Sequence, residues 1–242
     1  MASLIFKNVT VQYPIYNSRS QSLRNQLVRI GTGGRIEGEA GRIQIVTALK
    51  EVSFELKKGD AVGLVGHNGA GKSTMLRTMA GIYTPVAGQI IREGSVATVL
   101  EMGAGMDPEL TGYENITRIA VLMGMSIAQI HKKTPEIEEF TQLGNFLNLP
   151  VRTYSAGMAT RLMFAVATST QPDILLVDEI FGTGDAEFQV KARERMEALI
   201  SSVGIFVFAS HDVDLVRSYC NRFFKLEHGN VVEIGAGDAY FK

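Results

Sequence analysis

The sequence predicts an α/β fold with a mainly parallel core sheet, an N-terminal antiparallel β region and an inserted helical subdomain. Short strand patterns alternate with helical patterns after residue 170, and such alternation is typical of a parallel sheet. A glycine-rich loop over 66–74 stands between a strand pattern and a helix pattern. Helical patterns dominate 107–170, so we expect this segment to form the inserted subdomain.

The composition is that of one large globular domain, or of a core with a subdomain. Apolar residues make up 45% and charged residues 20% of the 242 residues, and a net charge of −1 gives no field that favours nucleic acid. The single cysteine, Cys220, excludes an internal disulfide and a thiolate zinc cluster. Neither an export signal nor a run of 18 apolar residues is found, so we expect a cytosolic protein that is able to sit on a membrane partner.

Strand patterns begin the chain and return before the glycine-rich loop. The segments 4–6 and 9–11 carry short strand patterns that end at Tyr13 and Pro14. Residues 52–56 alternate like a half-exposed strand, and a Lys-Gly-Asp turn follows them. We expect these segments to form the antiparallel region.

Residues 14 to about 46 are polar and rich in Gly, Ser and Arg, and we interpret them as an insertion. A helical pattern with arginines on its polar side lies within it. Such a helix rests either on a membrane surface or partner, or on the protein's own core, and the residues alone favour neither. Its apolar positions are Leu23, Leu27 and Ile30.

The glycine-rich loop matches G-x-x-x-x-G-K-S/T, the phosphate loop of nucleotide-binding proteins. Its glycines let backbone N–H groups point at the phosphates, at a helix N-terminus where negative charge is favoured. Lys72 adds a charge, and Ser73 offers its hydroxyl to Mg²⁺. The alternative is a turn with a surface lysine, but the full pattern arises by chance at on the order of one per cent. We expect the nucleotide to contact Gly66, His67, Asn68, Gly69, Ala70, Gly71, Lys72, Ser73 and Thr74.

The remaining elements follow in order along the chain. Strand patterns occur at 89–91 and 96–100, and one of the helices between 107 and 148 is predicted from Pro135 to Leu147. Later strands are predicted over 174–177, 205–209, 223–226 and 231–234, and later helices over 186–202 and from residue 213.

Two carboxylates, Asp178 and Glu179, end the buried strand pattern over 174–177. The carboxyl ends of strands are where open α/β sheets bind ligands. Asp178 is suited to the Mg²⁺ shell and Glu179 to accepting a proton from the attacking water. An acidic helix start would be the better interpretation without the phosphate loop, but the two motifs together favour the site.

Two further segments supply candidate phosphate contacts. Ser155 and Gly157 precede a helix pattern, where a hydroxyl and an amide form an anion site, although any helix N-cap looks similar. His211 follows the strand pattern next after the one that ends in Asp178. A lone histidine is more often structural, but at this place it is able to contact a γ-phosphate.

The order and spacing of these motifs resemble those of an ATP-binding-cassette ATPase over essentially the whole chain. A narrower resemblance is to the nucleotide-binding subunits of polysaccharide exporters, which move O-antigen, capsule-like or teichoic-acid polymers across the bacterial inner membrane. This narrower resemblance rests on the segments 100–105, 108–115, 153–158 and 184–189 and on the insertion after Pro14.

The resemblance implies roles in binding Mg²⁺ and ATP. Tyr13 corresponds to the aromatic residue that stacks on adenine, with Tyr16 as a weaker alternative. Ser73 and Asp178 correspond to the residues that hold Mg²⁺. Glu101 stands where most cassettes have a glutamine that touches the metal, so its contact with Mg²⁺ stays open.

The resemblance also implies a head-to-tail homodimer with two ATP molecules at its interface. Ser155, Ala156 and Gly157 would contact the γ-phosphate held by the opposite subunit, although Ala156 departs from the commoner glycine. Asp185 would lie at the dimer seam, and His211 would sense the γ-phosphate.

An integral-membrane permease is the other partner that the resemblance implies. We therefore expect one nucleotide-binding domain over 1–242, at the cytoplasmic face of the inner membrane, with the insertion helix near the mouth of the channel. We also expect no carbohydrate-binding domain to follow it, and therefore expect the polymer to be contacted mainly by the permease. An ATPase that acts as a scaffold or mechanical switch without transport is the alternative. A P-loop kinase explains neither Ser155 and Gly157 nor His211.

Overall fold

The computed structural model describes residues 2–15, 44–99, 105–178, 186–235 and 238. The strands in these ranges are β1 (Ser3–Ile15), β2 (Gln44–Lys57), β3 (Ala61–Val65), β4 (Ala87–Glu93), β5 (Val96–Val99), β6 (Ile174–Asp178), β7 (Ile205–Ala209), β8 (Arg222–Glu227) and β9 (Asn230–Ile234). The helices are α1 (Lys72–Ala80), α2 (Gly112–Leu122), α3 (Ile127–Thr141), α4 (Ala156–Ala167), α5 (Ala186–Ser202) and α6 (Val213–Tyr219). Two 3₁₀ turns cover Gly144–Asn148 and Val151–Thr153.

Two sheets form the scaffold. The first is antiparallel with the order β2-β1-β4. The second has the order β5-β6-β7-β3-β8-β9, and its described neighbours are parallel except for β8 and β9. The strands β3, β6 and β7 are buried along nearly all their length, as expected inside a parallel sheet covered on both faces. The predicted fold class is confirmed.

The first strand corrects the predicted pair of short strands. Positions 3 to 15 form one continuous strand, whose pairing with β2 shifts register between Phe6 and Val9. Asn8 stands at this shift with φ of 51°, the local geometry of a bulge. The bulge changes which side chains face inward, and this change explains why the sequence pattern splits in two.

Strands β1 and β2 extend into both ends of the predicted insertion, 14 to about 46. Pro14 pairs with Ile45, and Ile15 pairs with Gln44, so both ends of the segment belong to strands. Proline is tolerated here because the pairing of β1 with β4 ends at Thr10, which leaves Pro14 a strand neighbour on one side only. The helix predicted from Leu23 to Ile30 lies outside the described residues.

Between β5 and β6, the described residues 105–173 form three helices. α2, α3 and α4 pack around an apolar cluster of their own, and α2 begins with a capping box formed by Thr111 and Glu114. In the described part of the chain, no helix is both long and apolar enough to cross a membrane. The buried centre of the cluster includes Ile116, Ile137, Leu147 and Leu162.

The helix predicted to begin at Pro135 begins eight residues earlier, at Ile127. A second capping box sets this start, because Ser126 accepts a hydrogen bond from Gln129 N and the Gln129 side chain accepts one from Ser126 N. Pro135 lies inside α3. The helix ends before the predicted limit, Leu147, because its C-cap Gln142 has a left-handed φ of 54°.

Candidate nucleotide-binding site

The phosphate loop joins β3 to α1 and is confined by two neighbouring backbones. Gly66 and Gly71 have φ of 150° and 109°. A Cβ atom at Gly66 would lie 2.5 Å from the Leu226 carbonyl oxygen, and one at Gly71 would lie 3.0 Å from the Ala48 carbonyl oxygen. The loop conformation therefore requires glycine at both positions.

Lys72 begins α1 and folds back over the loop. Its ammonium donates to the carbonyl oxygens of Gly66 at 2.7 Å and His67 at 3.3 Å. Only 9% of the residue is exposed, so the charge is held at the mouth of the loop and not in bulk water. His67, Asn68 and Gly69 are exposed and Ala70 is buried, so the tip of the loop is open to a ligand.

The next residue of α1, Ser73, reaches the end of β6. Its hydroxyl donates to Asp178 Oδ2 at 2.7 Å, although the two residues are 105 positions apart. The sheet order explains the contact, because Asp178 pairs with Ala209 of β7 and Ala209 pairs with Leu64 of β3. The carboxyl ends of these three strands thus lie at one edge, where the phosphate loop begins.

A hydroxyl and a carboxylate in contact are suitable ligands for Mg²⁺. In the described ranges, no group of three or more His, Cys, Asp or Glu side chains is placed to hold a metal. Magnesium in nucleotide enzymes is typically held by one or two protein oxygens together with phosphates and water. Ser73 and Asp178 fit that mode, and their role as metal ligands stays a prediction.

Replacing Asp178 by asparagine is expected to raise the Mg²⁺ concentration for half-maximal ATP hydrolysis by about 10- to 100-fold, because the charged oxygen is lost. Metal titrations of the hydrolysis rate would measure the shift. Asp173→Asn is the matched control, since Asp173 precedes β6 at its opposite end and accepts hydrogen bonds from Ser95. An unchanged Mg²⁺ requirement would remove Asp178 from the metal site.

Tyr13 lies beside the phosphate loop. Its hydroxyl and Thr74 Oγ1 are 3.3 Å apart, and its ring meets Tyr83 edge to face at 5.3 Å between centroids. Burial raises the pKa of Tyr13 above its ordinary value. The residue predicted to stack on adenine is therefore next to the residues predicted to bind phosphate.

Tyr83 was not among the residues predicted from the sequence. It follows the left-handed Gly81 that ends α1, and this turn brings it back beside Arg77, whose Nη1 donates to the Tyr83 hydroxyl at 3.3 Å. The available signal was an aromatic residue just after the end of the phosphate-loop helix. The Leu226 and Ala48 carbonyls that confine the loop left no sequence signal, because any residue supplies a carbonyl.

The second candidate anion site is the start of α4. Ser155 is the N-cap, and its hydroxyl accepts from Met158 N at 3.2 Å. Ser155 and Ala156 are exposed, and a Cβ atom at Gly157 would have Ser155 Oγ, at 3.9 Å, as its nearest neighbour. The Ser155 hydroxyl and carbonyl accept hydrogen bonds from Met158 N and Ala159 N, both in α4, so this exposed helix start is open to a ligand from outside.

His211 follows β7 and is exposed, two residues beyond the position that pairs with Asp178. It therefore lies at the same sheet edge as the phosphate loop. Three other predicted site residues, Glu101, Glu179 and Asp185, lie outside the described residues, and their roles stay predictions.

Comparison with known proteins identifies the family. Residues 49–182 match the ABC transporter family. The chain is 67% identical to the O-antigen export system ATP-binding protein RfbE of Yersinia enterocolitica, over 96% of this chain and 98% of that protein. It is 36% identical to the O-antigen export system ATP-binding protein RfbB of Klebsiella pneumoniae, over 96% and 93% of the two chains. It is also 36% identical to the teichoic acids export ATP-binding protein TagH of Listeria monocytogenes, over 95% and 66%.

Solved structures show the same fold. The ATP-binding cassette MJ0796, determined as a dimer bound to ADP and Pi, matches with a TM-score of 0.70 and 23% identity, over 97% of this chain and 99% of that chain. The family match, the relatives and the geometry of the motifs all indicate the same family. The chain belongs to the ABC transporter family, and ATP-binding proteins of polysaccharide export are among its relatives.

Proposed function

We propose that this chain is the ATP-hydrolysing subunit of an ABC transporter that exports a lipid-linked polysaccharide across the bacterial inner membrane. The observation that carries the proposal is the hydrogen bond between Ser73 and Asp178, which joins the phosphate loop to the end of β6. A metal bound there would contact phosphate and protein oxygens together. The relatives named for O-antigen and teichoic acid export support the polymer class.

ATP and Mg²⁺ would occupy the edge where β3, β6 and β7 end. The adenine would stack on Tyr13, and Lys72 would meet the β- and γ-phosphates. Ser73 and Asp178 would hold Mg²⁺, while Glu101 is a further candidate ligand. The short distance from the Tyr13 hydroxyl to Thr74 supports one continuous site for base and phosphates.

Hydrolysis would use Glu179 as the proton acceptor for water and His211 as a contact to the γ-phosphate. The exposed start of α4 supports a site completed by a second copy of the chain. In that dimer, each ATP lies between the phosphate loop of one copy and the α4 start of the other, with Asp185 at the seam. ATP would close the dimer, and hydrolysis would open it again. The groups offered across the interface are Ser155, Ala156 and Gly157.

An exposed apolar surface supports docking on a membrane permease. Val121 and Leu122 at the end of α2 are 48% and 67% exposed, and Ile127 at the start of α3 is 52% exposed. These side chains stand on either side of the short connection between α2 and α3, and a contiguous exposed apolar surface marks a protein contact site. We propose that the permease covers this surface, that the chain works from the cytoplasmic face, and that the polymer is contacted mainly by the permease.

Replacing Leu122 by aspartate is expected to weaken association with the permease about tenfold or more, because a buried leucine is worth about 1.5–3 kcal/mol. Co-purification with the solubilised permease measures the effect, and ATP hydrolysis by the isolated subunit should not change. Val232→Asp is the control, since Val232 is 58% exposed on β9. Equal recovery of permease with both variants would place the docking surface elsewhere.

A strain that lacks this protein tests the proposed function. We expect lipid-linked polymer to accumulate on the cytoplasmic side and surface polymer to disappear, with recovery when the wild-type chain is supplied. Purified permease should also alter the rate of ATP hydrolysis. Normal surface polymer in the deletion strain would favour a scaffold or mechanical switch over transport.

A further inference from the structure

The guanidinium of Arg195, on α5, joins three helices. Its Nη2 lies 2.8 Å from Glu136 Oε1 on α3, and its Nε donates to Thr168 Oγ1 at 2.7 Å. Thr168 is the C-cap of α4, and Nη2 also lies 3.4 Å from the Ala165 carbonyl oxygen in the last turn of that helix. The Arg195 side chain is only 15% exposed and Thr168 is buried, whereas the Glu136 side chain is 45% exposed, so the contacts to α4 are better shielded from water than the ion pair.

An aromatic cluster joins the same three helices. Phe140 of α3, Phe164 of α4 and Phe188 of α5 contact one another with centroids 5.5 to 5.9 Å apart. The Arg195 guanidinium lies 4.5 Å from the centroid of the Phe140 ring. Packed aromatic rings have preferred relative orientations, and a guanidinium stacked on one of them restricts the orientation of the helices further.

These contacts fix the C-terminal part of α4 against α3 and α5. α4 spans 12 residues, so its length is about 18 Å at 1.5 Å per residue. Arg195 contacts its C-terminal end, and Phe164 lies in its C-terminal third, three residues before Ala167. A small rotation at the held end therefore moves Ser155, the N-cap at the other end, by a larger distance. α5 itself starts directly after Asp185, the residue proposed for the dimer seam.

We propose that Arg195 is a positioning residue, which sets the direction of α4 relative to α5 and thereby presents Ser155 to the nucleotide of the opposite copy. The inference rests on the proposed ATP-bridged dimer. Arg195 acts on dimer closure and not on the phosphate loop, which a single copy supplies. Lysine at this position keeps the charge near Glu136 but loses the planar fork that reaches Thr168 and Ala165 together.

Nucleotide-driven dimerisation of the purified chain tests the role. Sedimentation with Mg²⁺ and a non-hydrolysable ATP analogue gives the dimer dissociation constant, and a fluorescent ATP analogue gives the affinity of the monomer. We expect Arg195→Lys to raise the dimer dissociation constant about tenfold without changing the affinity of the monomer for the ATP analogue. Arg193→Lys is the control, because Arg193 is exposed on the same helix.

A second variant keeps the test independent of any loss of folding at Arg195. Thr168→Val leaves Arg195 in place and removes one acceptor, so it should shift the dimer constant in the same direction. The double variant should have nearly the same dimer dissociation constant as Arg195→Lys alone, because both substitutions break the same hydrogen bond between Arg195 and Thr168. A dimer constant unchanged in Arg195→Lys, or changed equally in Arg193→Lys, would overturn the positioning role. A wild-type chain that stays monomeric with the analogue would instead remove the proposed dimer, and the inference with it.

Discussion

Replacing Lys72 by alanine is expected to lower ATP affinity about 1000-fold, since two charge-assisted contacts to phosphate are each worth about 1.5–3 kcal/mol. The ammonium is already positioned by the carbonyls of Gly66 and His67 and is shielded from water. Loop amides remain in the variant, but they bear no full charge to balance the triphosphate. Titration with a fluorescent ATP analogue and the rate of phosphate release would measure the loss.

Two comparisons isolate the charge of Lys72. Lys72→Met keeps most of the buried stem, so it separates the missing charge from a packing defect. Lys58→Ala removes an exposed lysine before the opposite end of β3 and should leave binding unchanged. Wild-type affinity and turnover in both Lys72 variants would mean that the loop does not bind the triphosphate.

Replacing Glu179 by glutamine is expected to lower ATP turnover about 1000-fold, within the range of general base catalysis. Glutamine has nearly the same shape but does not accept a proton, so ATP affinity should stay close to that of the wild type. Glu179 directly follows Asp178, whose carboxylate contacts the phosphate-loop serine. Single-turnover hydrolysis, measured alone and with the permease, separates the chemical step from binding.

Glu93→Gln is the control for Glu179, because Glu93 is an exposed carboxylate that ends β4 in the other sheet. The Glu179 variant should also accumulate the ATP-bound dimer, since closure occurs and reopening does not. Turnover near that of the wild type would show that another group accepts the proton. Lost ATP affinity would instead give Glu179 a role in binding.

The chain's local patterns were sufficient to predict the phosphate loop and most elements of the α/β core. A strand, a turn that needs left-handed glycines and a helix N-terminus are set by neighbouring residues, and so are visible in a short segment. α5 was predicted with its observed limits, Ala186–Ser202. The predicted start at Pro135 differs from the observed start of α3, because the capping box of Ser126 and Gln129 begins the helix at Ile127.

Contacts between distant segments were decided only by the tertiary structure. The sequence named Ser73 and Asp178 as partners of one metal, but the hydrogen bond between them depends on the order β6-β7-β3, which no local pattern specifies. The Tyr13 and Tyr83 pair and the three-helix contacts of Arg195 also join segments far apart in the chain. Short-range propensity therefore determined the elements and the motif, while packing between distant elements decided which side chains meet.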